Sequence, residues 1–297
     1  MTAMLKFQNI VCPVDFSEFS TRATDYAYSL AKHYSAKLYF EHVVQPLTAA
    51  YPYYAFPDAV NQIYWNLGAD AEERLHEMTK AYFWNGTQPM FSVERGLVPE
   101  TILNFASQQK ADLIVMGTHG RQGLDRLTMG SVTEKVLRKA HCPVLAVRKP
   151  GHDFVAPADK NEPVHLKRII YATDFSDHAL RALDYALSLA MEYNSELTLL
   201  HVLDEVPEAT ELQTATASII HQLESPIPQD AGNWCKVKPV VRLGKPYQEI
   251  IQLALETQAD LIVLGVRGRN AVDLALFGST THRVLQLGST PVLAVHV

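Results

Sequence analysis

Short apolar runs alternate with longer stretches of helical period from one end of the chain to the other. Ile10 to Val14 is a compact apolar run ending at Asp15, and after Ser17 the residues Ala23, Tyr26, Ala27, Leu30 and Ala31 recur on one helical face. Lys37 to Val43 reads as a second strand, and about Asp58 to Trp84 as a long helix. Met90 to Glu94 is a third strand. Pro99, suited to a first helical turn where its missing N–H is no loss, opens a helix through about Gln109. Ala111 to Met116 is a fourth strand, Ser131 to about Lys139 a helix, and Pro143 to Val147 a last strand. Apolar strands separated by helices of this length predict a parallel sheet covered on both faces.

The pattern then starts again. The segment from Ile10, IVCPVDFSEFSTRATDYAYSLA, aligns without gaps with IIYATDFSDHALRALDYALSLA from Ile169, and 12 of 22 positions are identical. Asp15 falls on Asp174, Phe16 on Phe175 and Ser17 on Ser176; Glu196 to Val202, Leu261 to Leu264 and Pro291 to Val295 repeat the later strands. The offset is 159 residues here but 148 between Gly117 and Gly265, so the first copy carries 11 extra residues between His42 and Gly96. A duplication predicts an α/β chain of two tandem doubly wound (Rossmann-like) domains, each a mainly parallel five-stranded sheet flanked by helices. The expected boundaries are 1–149 and 166–297, with a linker at 150–165 where proline, glycine and charges replace periodicity. The extra residues bring an aromatic cluster between Pro46 and Trp65: Tyr51, Tyr53, Tyr54, Phe56, Tyr64 and Trp65. It reads either as a helix end packed on its own domain or as an interface or lid.

Composition narrows the function. With 20% charged residues and a net charge of -6, the chain lacks the basic footprint of a nucleic-acid binder. No apolar run approaches the roughly 18 to 20 residues that span a bilayer, and Met1 to Phe7 lacks the apolar region of a secretory signal, so the expectation is a cytoplasmic protein without a membrane partner. Three cysteines without a CxxC spacing point to packing, and twelve histidines without an HExxH pair give no reason to assign a metal site.

The candidate chemistry lies in Gly117 to Ser131, GTHGRQGLDRLTMGS, repeated from Gly265 to Ser279 as GVRGRNAVDLALFGS. Both read Gly-x2-Gly-x9-Gly-Ser between an apolar strand and a helix. Glycines running into a helix N-terminus present backbone N–H groups to an anion, and the helix dipole adds about 0.3 to 1 kcal/mol. In a doubly wound sheet the ligand crevice lies at the C-terminal ends of the strands, so Asp15 and the loop at Gly117 should meet in space.

With the glycine loop, the Asp-Phe-Ser strand end and the His-Val of the second strand in place, the chain resembles a tandem universal stress protein, of the ATP-binding subgroup of the universal stress protein A family. The resemblance covers both halves apart from the linker and the aromatic insertion. It implies a first site with Pro13, Val14, Asp15 and Val43 around adenosine, and Met116, Gly117, His119, Gly120, Gly130, Ser131 and Val132 on the phosphate side. The second site would use Ala172, Thr173, Asp174 and Val202, then Leu264, Gly265, Arg267, Gly268, Gly278, Ser279 and Thr280. Arg121 and Arg269 follow the second glycines and would add charge. The implied ligand is ATP, with ADP or AMP as alternatives and magnesium carried on the phosphates. The two sites differ at His119 against Arg267 and at Pro13-Val14 against Ala172-Thr173, so their affinities need not match.

Plainer readings stand beside these. Asp15 and Asp174 could serve only as helix caps, although Ser17 and Ser176 are better placed for that, and His42 and His201 read as core or strand-end histidines. Neither copy has the lysine of a GxxxxGK[ST] loop, and neither offers an evident base or a magnesium carboxylate. The leading expectation is therefore an adenine-nucleotide-binding stress-response module. The alternatives are a slow ATPase or nucleotidyl-transfer enzyme on the same fold and a nucleotide-free interaction protein. The last strands, Val144 to Val147 and Val292 to Val295, are apolar edges whose pairing would make an intramolecular pseudo-dimer, with a further homodimer through the aromatic insertion as a second level of assembly.

Overall fold

The computed structural model describes residues 5–46, 57–84, 86–119, 129–148, 153–160, 162–204, 212–266 and 278–296. The first half contributes β1 (Asn9–Pro13), α1 (Glu18–Tyr34), β2 (Lys37–Val44), α2 (Pro57–Lys80), β3 (Met90–Arg95), α3 (Val98–Gln108), β4 (Leu113–Gly117), α4 (Ser131–Lys139) and β5 (Val144–Val147). The second contributes β6 (Arg168–Ala172), α5 (Asp177–Tyr193), β7 (Glu196–Leu203), α6 (Leu212–Glu224), β8 (Lys236–Leu243), α7 (Pro246–Thr257), β9 (Leu261–Gly265), α8 (Ser279–Leu287) and β10 (Val292–Val295).

All ten strands form one sheet in the order β3-β2-β1-β4-β5-β10-β9-β6-β7-β8. Among the ten described strands every pair within a half is parallel, and β5 joins β10 antiparallel, with Leu145 opposite Leu293. Both strands are buried along their whole length, so an unpaired edge there would expose apolar surface together with unmade backbone hydrogen bonds. The seam is reinforced reciprocally. Arg148 Nη1 donates to the Gln286 and Gly288 carbonyls at the end of α8 (2.6 and 2.8 Å), and the equivalent His296 Nε2 donates to the Leu137 carbonyl near the end of α4 (2.6 Å). These cationic or N–H groups meet helix C-termini, where unmatched carbonyls accumulate.

Two apolar layers flank the sheet. One packs α1, α2, α5 and α6 around residues such as Tyr26, Phe40, Leu75 and Leu197; the other packs α3, α4, α7 and α8 around Ile102, Ile114, Leu137 and Ile262. In each half β1 or β6 lies between the strand that follows it and the later β4 or β9, so the chain reverses its direction of winding beside that strand. Since the halves meet antiparallel, their C-terminal strand ends open on opposite edges of the sheet.

One helix end differs from expectation. The helix predicted to Trp84 ends at Lys80: Ala81 and Tyr82 donate to carbonyls three residues back, and Trp84 and Thr87 exchange two hydrogen bonds around Gly86, whose φ is 80°. This turn packs Tyr82 and Trp84 against Tyr28, which a continuing helix would carry away. The linker docks on α1. Phe154 is 2% exposed and meets Tyr26 edge-on at 4.8 Å; the Tyr26 hydroxyl donates to Asp153 (2.7 Å), and Arg22 bridges Asp153 and the Val155 carbonyl. α2 has 24 residues and its counterpart α6 has 13. Of the aromatic cluster, Tyr51, Tyr53, Tyr54 and Phe56 lie outside the described residues. Tyr64 donates to the Val44 carbonyl (3.3 Å), while Trp65 is exposed with the Arg95 guanidinium 4.3 Å above its ring.

Candidate functional site

The switch point of each half is built around the Asp-Phe-Ser turn. Ser17 caps α1 by accepting from the Ser20 N–H (3.2 Å), and Ser176 caps α5 by accepting from Ala179 (3.3 Å). The aspartates brace the turn instead: Asp15 Oδ1 accepts from the Ser17 N–H (3.0 Å), and Asp174 Oδ1 accepts from both N–H (3.1 Å) and hydroxyl (2.6 Å) of Ser176. Between them Phe16 and Phe175 adopt left-handed backbone, φ 60° and 61°. An aromatic residue there costs about 1 to 3 kcal/mol and persists only where its surroundings hold it. In both copies the holder is a histidine: Phe16 lies on His42 at 4.8 Å and Phe175 on His201 at 4.6 Å. His42 Nδ1 donates to the Val14 carbonyl (2.6 Å) and His201 Nδ1 to that of Thr173 (2.8 Å). A carbonyl only accepts, so Nδ1 carries the proton. These histidines support the turn, and Arg74 on α2 stacks over the outer face of Phe16 at 3.9 Å.

The strand ends converge as the doubly wound topology requires. Pro13 pairs with Glu41 on β2, the Val14 N–H donates to the Glu41 carbonyl (2.7 Å), and β4, ending at Met116 and Gly117, lies on the other side of β1. A Cβ on Gly117 would sit 2.9 to 3.0 Å from the backbone of Phe19, and one on Gly265 2.8 to 3.0 Å from that of His178 and Ala179. Close packing of the first turn of α1 or α5 on a strand end thus accounts for these two glycines. Gly130 closes the loop: its N–H donates to the Thr118 carbonyl (2.8 Å), and Gly278 repeats the bond to Val266 (3.0 Å).

Each closing glycine is also the N-cap of the next helix, with no side-chain cap bond. The first turn of α4 and of α8 therefore presents backbone N–H groups that no cap side chain satisfies, beside exposed Ser131 and Ser279 and half-buried Val132 and Thr280. Thr133 and Thr281 fix the angle of these turns by donating to the Gly117 and Gly265 carbonyls (2.8 and 2.9 Å). These threonines escaped notice in the sequence, although their identical offset in both motifs was a readable signal. His119 is buried, with Nδ1 2.9 Å from the Thr118 hydroxyl and its ring 5.0 Å from Phe19. Val43, Val202, Ala172, Thr173 and Leu264 lie at or beside the same strand ends. The Thr173 hydroxyl accepts from the Phe175 N–H (2.9 Å), a bond Val14 has no group to make. Gly120, Arg121, Arg267, Gly268 and Arg269 fall outside the described residues.

A second unheralded residue is Glu41. It lies two positions before Val43 on β2, fully buried, with no hydrogen-bond partner for either carboxylate oxygen among the described residues. Burial, helped by the neighbouring charge of Glu94, pushes its pKa up from 4.5 to about 8. The signal was a charged residue inside an otherwise apolar strand, opposite Leu200 in the second copy. The three cysteines are free and buried, and burial raises their thiol pKa values, Cys142 to about 12, so packing is their role. Among the described residues no group of three or more histidine, cysteine or acidic side chains could hold a metal ion, and no helix is long and apolar enough to cross a membrane.

The family model of the Universal stress protein family matches residues 6–148 and 165–296. A universal stress protein of Mycobacterium tuberculosis is 26% identical over 305 aligned positions, spanning 99% of this chain and 98% of the relative. One from Methanocaldococcus jannaschii is 34% identical over 149 residues, 48% of this chain and 84% of the relative. The crystal structure of a universal stress protein from Archaeoglobus fulgidus shares the fold with a TM-score of 0.69 at 23% identity, covering 97% of this chain and 96% of the other.

Proposed function

This chain belongs to the universal stress protein family, and we propose that each of its halves holds an adenine nucleotide, ATP in the first instance, as a binding module whose occupancy alters conformation or partner choice. The observation that carries this reading is the same unusual geometry built twice from diverged sequence. A strained Asp-Phe-Ser turn stands at the switch point beside a glycine-capped helix N-terminus with an exposed serine. A packed fold needs neither a left-handed phenylalanine nor a helix end without a side-chain cap, whereas a phosphate is matched by such an end. In this reading Asp15 and Asp174 accept from ribose hydroxyls, Val43 and Val202 meet the base, and the first turns of α4 and α8, with Ser131 and Ser279, hold the phosphates. Magnesium enters on the phosphates.

Mass spectrometry of nucleotide released on denaturation, joined to calorimetry with ATP and a phosphate-release assay, tests this. We expect bound or titratable adenine nucleotide and no steady turnover. A protein that carries no nucleotide and gives no heat at millimolar ATP contradicts the reading, and sustained phosphate release moves it to a slow ATPase. Gly117 and Gly265 are poor control positions for such assays, because their alanine variants disturb helix packing. Ser131→Ala and Ser279→Ala remove an exposed hydroxyl alone.

A further inference from the structure

The linker's seat on α1 is made by three polar residues of that helix. Arg22 donates to the Asp153 carboxylate (2.7 Å) and to the Val155 carbonyl (2.9 Å), and the Tyr26 hydroxyl donates to the same carboxylate (2.7 Å). Asp25 accepts from the Ala158 N–H (3.4 Å) while pairing with Arg22 (2.9 Å). Phe154, edge-on against Tyr26, and Val155 are buried there. Under the linker the side chains of Arg22 and Asp25 keep only 18% and 15% exposure, and Tyr26 is sealed. An extended Asp-Phe-Val segment is thus read by an Arg-x2-Asp-Tyr face.

The same face is built again on α5. At the 159-residue offset of the duplication Arg22, Asp25 and Tyr26 fall on Arg181, Asp184 and Tyr185. Both helices have 17 residues and a serine N-cap, and Ala182 and Ala186 are buried as Ala23 and Ala27 are, so the three residues hold equivalent positions on the helix. On α5, though, Arg181 and Asp184 are exposed and Tyr185 is half-buried. Leu180, next to Arg181, is 42% exposed. The neighbouring exposed positions differ between the copies, Glu18 against Asp177 and Thr21 against Leu180, while the three linker-reading residues are the same.

We propose that this face of α5 is a docking site for an extended segment of a partner protein, one that carries an acidic residue followed by an aromatic and an aliphatic one and sits as the linker sits on α1. The polar groups fit that ligand in one direction. Arg181 takes the acidic side chain and a backbone carbonyl two residues on, Tyr185 donates to the same acid, and Asp184 accepts a backbone N–H further along. The aromatic residue covers Tyr185, which α5 leaves half-buried where Tyr26 is sealed, and the aliphatic one adds apolar contact. The chain's own linker is held on α1 by Arg22 and Tyr26, and so is the linker of any second copy, which leaves the segment to be supplied by another protein.

The test is fluorescence anisotropy of a labelled synthetic peptide of residues 153–160, Asp-Phe-Val-Ala-Pro-Ala-Asp-Lys, titrated with the full chain. One peptide should bind per chain. Tyr185→Phe, which removes one bond to the acid, and Arg181→Ala should each weaken binding by about tenfold. Arg181→Glu should abolish it, and a peptide carrying Asp153→Lys should bind that variant again. Arg181 is exposed, so these variants should keep the native unfolding midpoint, which is measured alongside. No binding to the native chain up to millimolar peptide overturns the proposal. Binding that survives Arg181→Glu also overturns it, because the peptide then sits on α1 in the linker's stead. Self-association of the native chain in sedimentation, lost in Arg181→Glu, would make a second copy the occupant and overturn the assignment to a partner protein.

Discussion

Replacing Glu41 with leucine, the residue its sister strand carries at Leu200, should stabilise the protein, and by more as the pH rises. In the fold the Glu41 pKa stands at about 8 against 4.5 for an exposed glutamate. The folded state keeps its proton where the unfolded chain has released it, so stability falls as pH climbs from about 4.5 to about 8 and then levels off. Each pH unit in that window is worth about 1.4 kcal/mol. The native protein therefore loses about 3 kcal/mol by pH 7 and about 5 kcal/mol above pH 9 relative to its own stability below about pH 4, a loss that a chain without the carboxyl does not suffer. Urea unfolding of native and Glu41→Leu protein, from pH 5 to pH 9, reads the difference directly, because every other titrating group is common to both. The gap should widen steadily and saturate above pH 8. A gap that stays constant with pH, or a leucine variant less stable at pH 9, would refute the placement of a buried, unpaired carboxyl at this position.

Two further outcomes probe the frame of the site. Gly117→Ala and Gly265→Ala each force a methyl to within 3.0 Å of helix backbone, and each should lower stability by about 1 to 3 kcal/mol in denaturant titration, whereas Gly232→Ala, with open space around it, should be near neutral. Phe154→Ala removes the linker's anchor on Tyr26 and should cost about 3 to 5 kcal/mol and speed proteolytic cleavage in the linker; an unchanged cleavage rate would mean that the linker is not held by this contact.

Much of the architecture was legible in the order of residues. The strand and helix alternation follows from Ile10 to Val14 and its echoes, and the duplication from the aligned Asp-Phe-Ser segments, because both are carried by local period and identity. What was not legible depends on contacts between distant segments. Gly117 looked like a phosphate-loop glycine, yet its demand comes from Phe19, which only the fold brings within reach. Phe16 gives no local hint of left-handed backbone, since His42 holds it from another strand. The linker lacked periodicity, but a single aromatic residue, Phe154, suffices to dock it on α1. Trp84 continued a helical pattern and was drawn out of it by Tyr28. In the candidate site, residue types at the strand ends were readable, whereas the tethers from Thr133 and Thr281 and the isolation of Glu41 emerge from packing.

Nucleotide binding by each half is tested most directly by the number of nucleotides a chain holds. Equilibrium dialysis against labelled ATP, on the full chain and on Asp15→Ala and Asp174→Ala, counts them. Two sites per chain are predicted, falling to one in either variant; a protein that retains no ATP up to millimolar concentration, or a count indifferent to both aspartates, contradicts it.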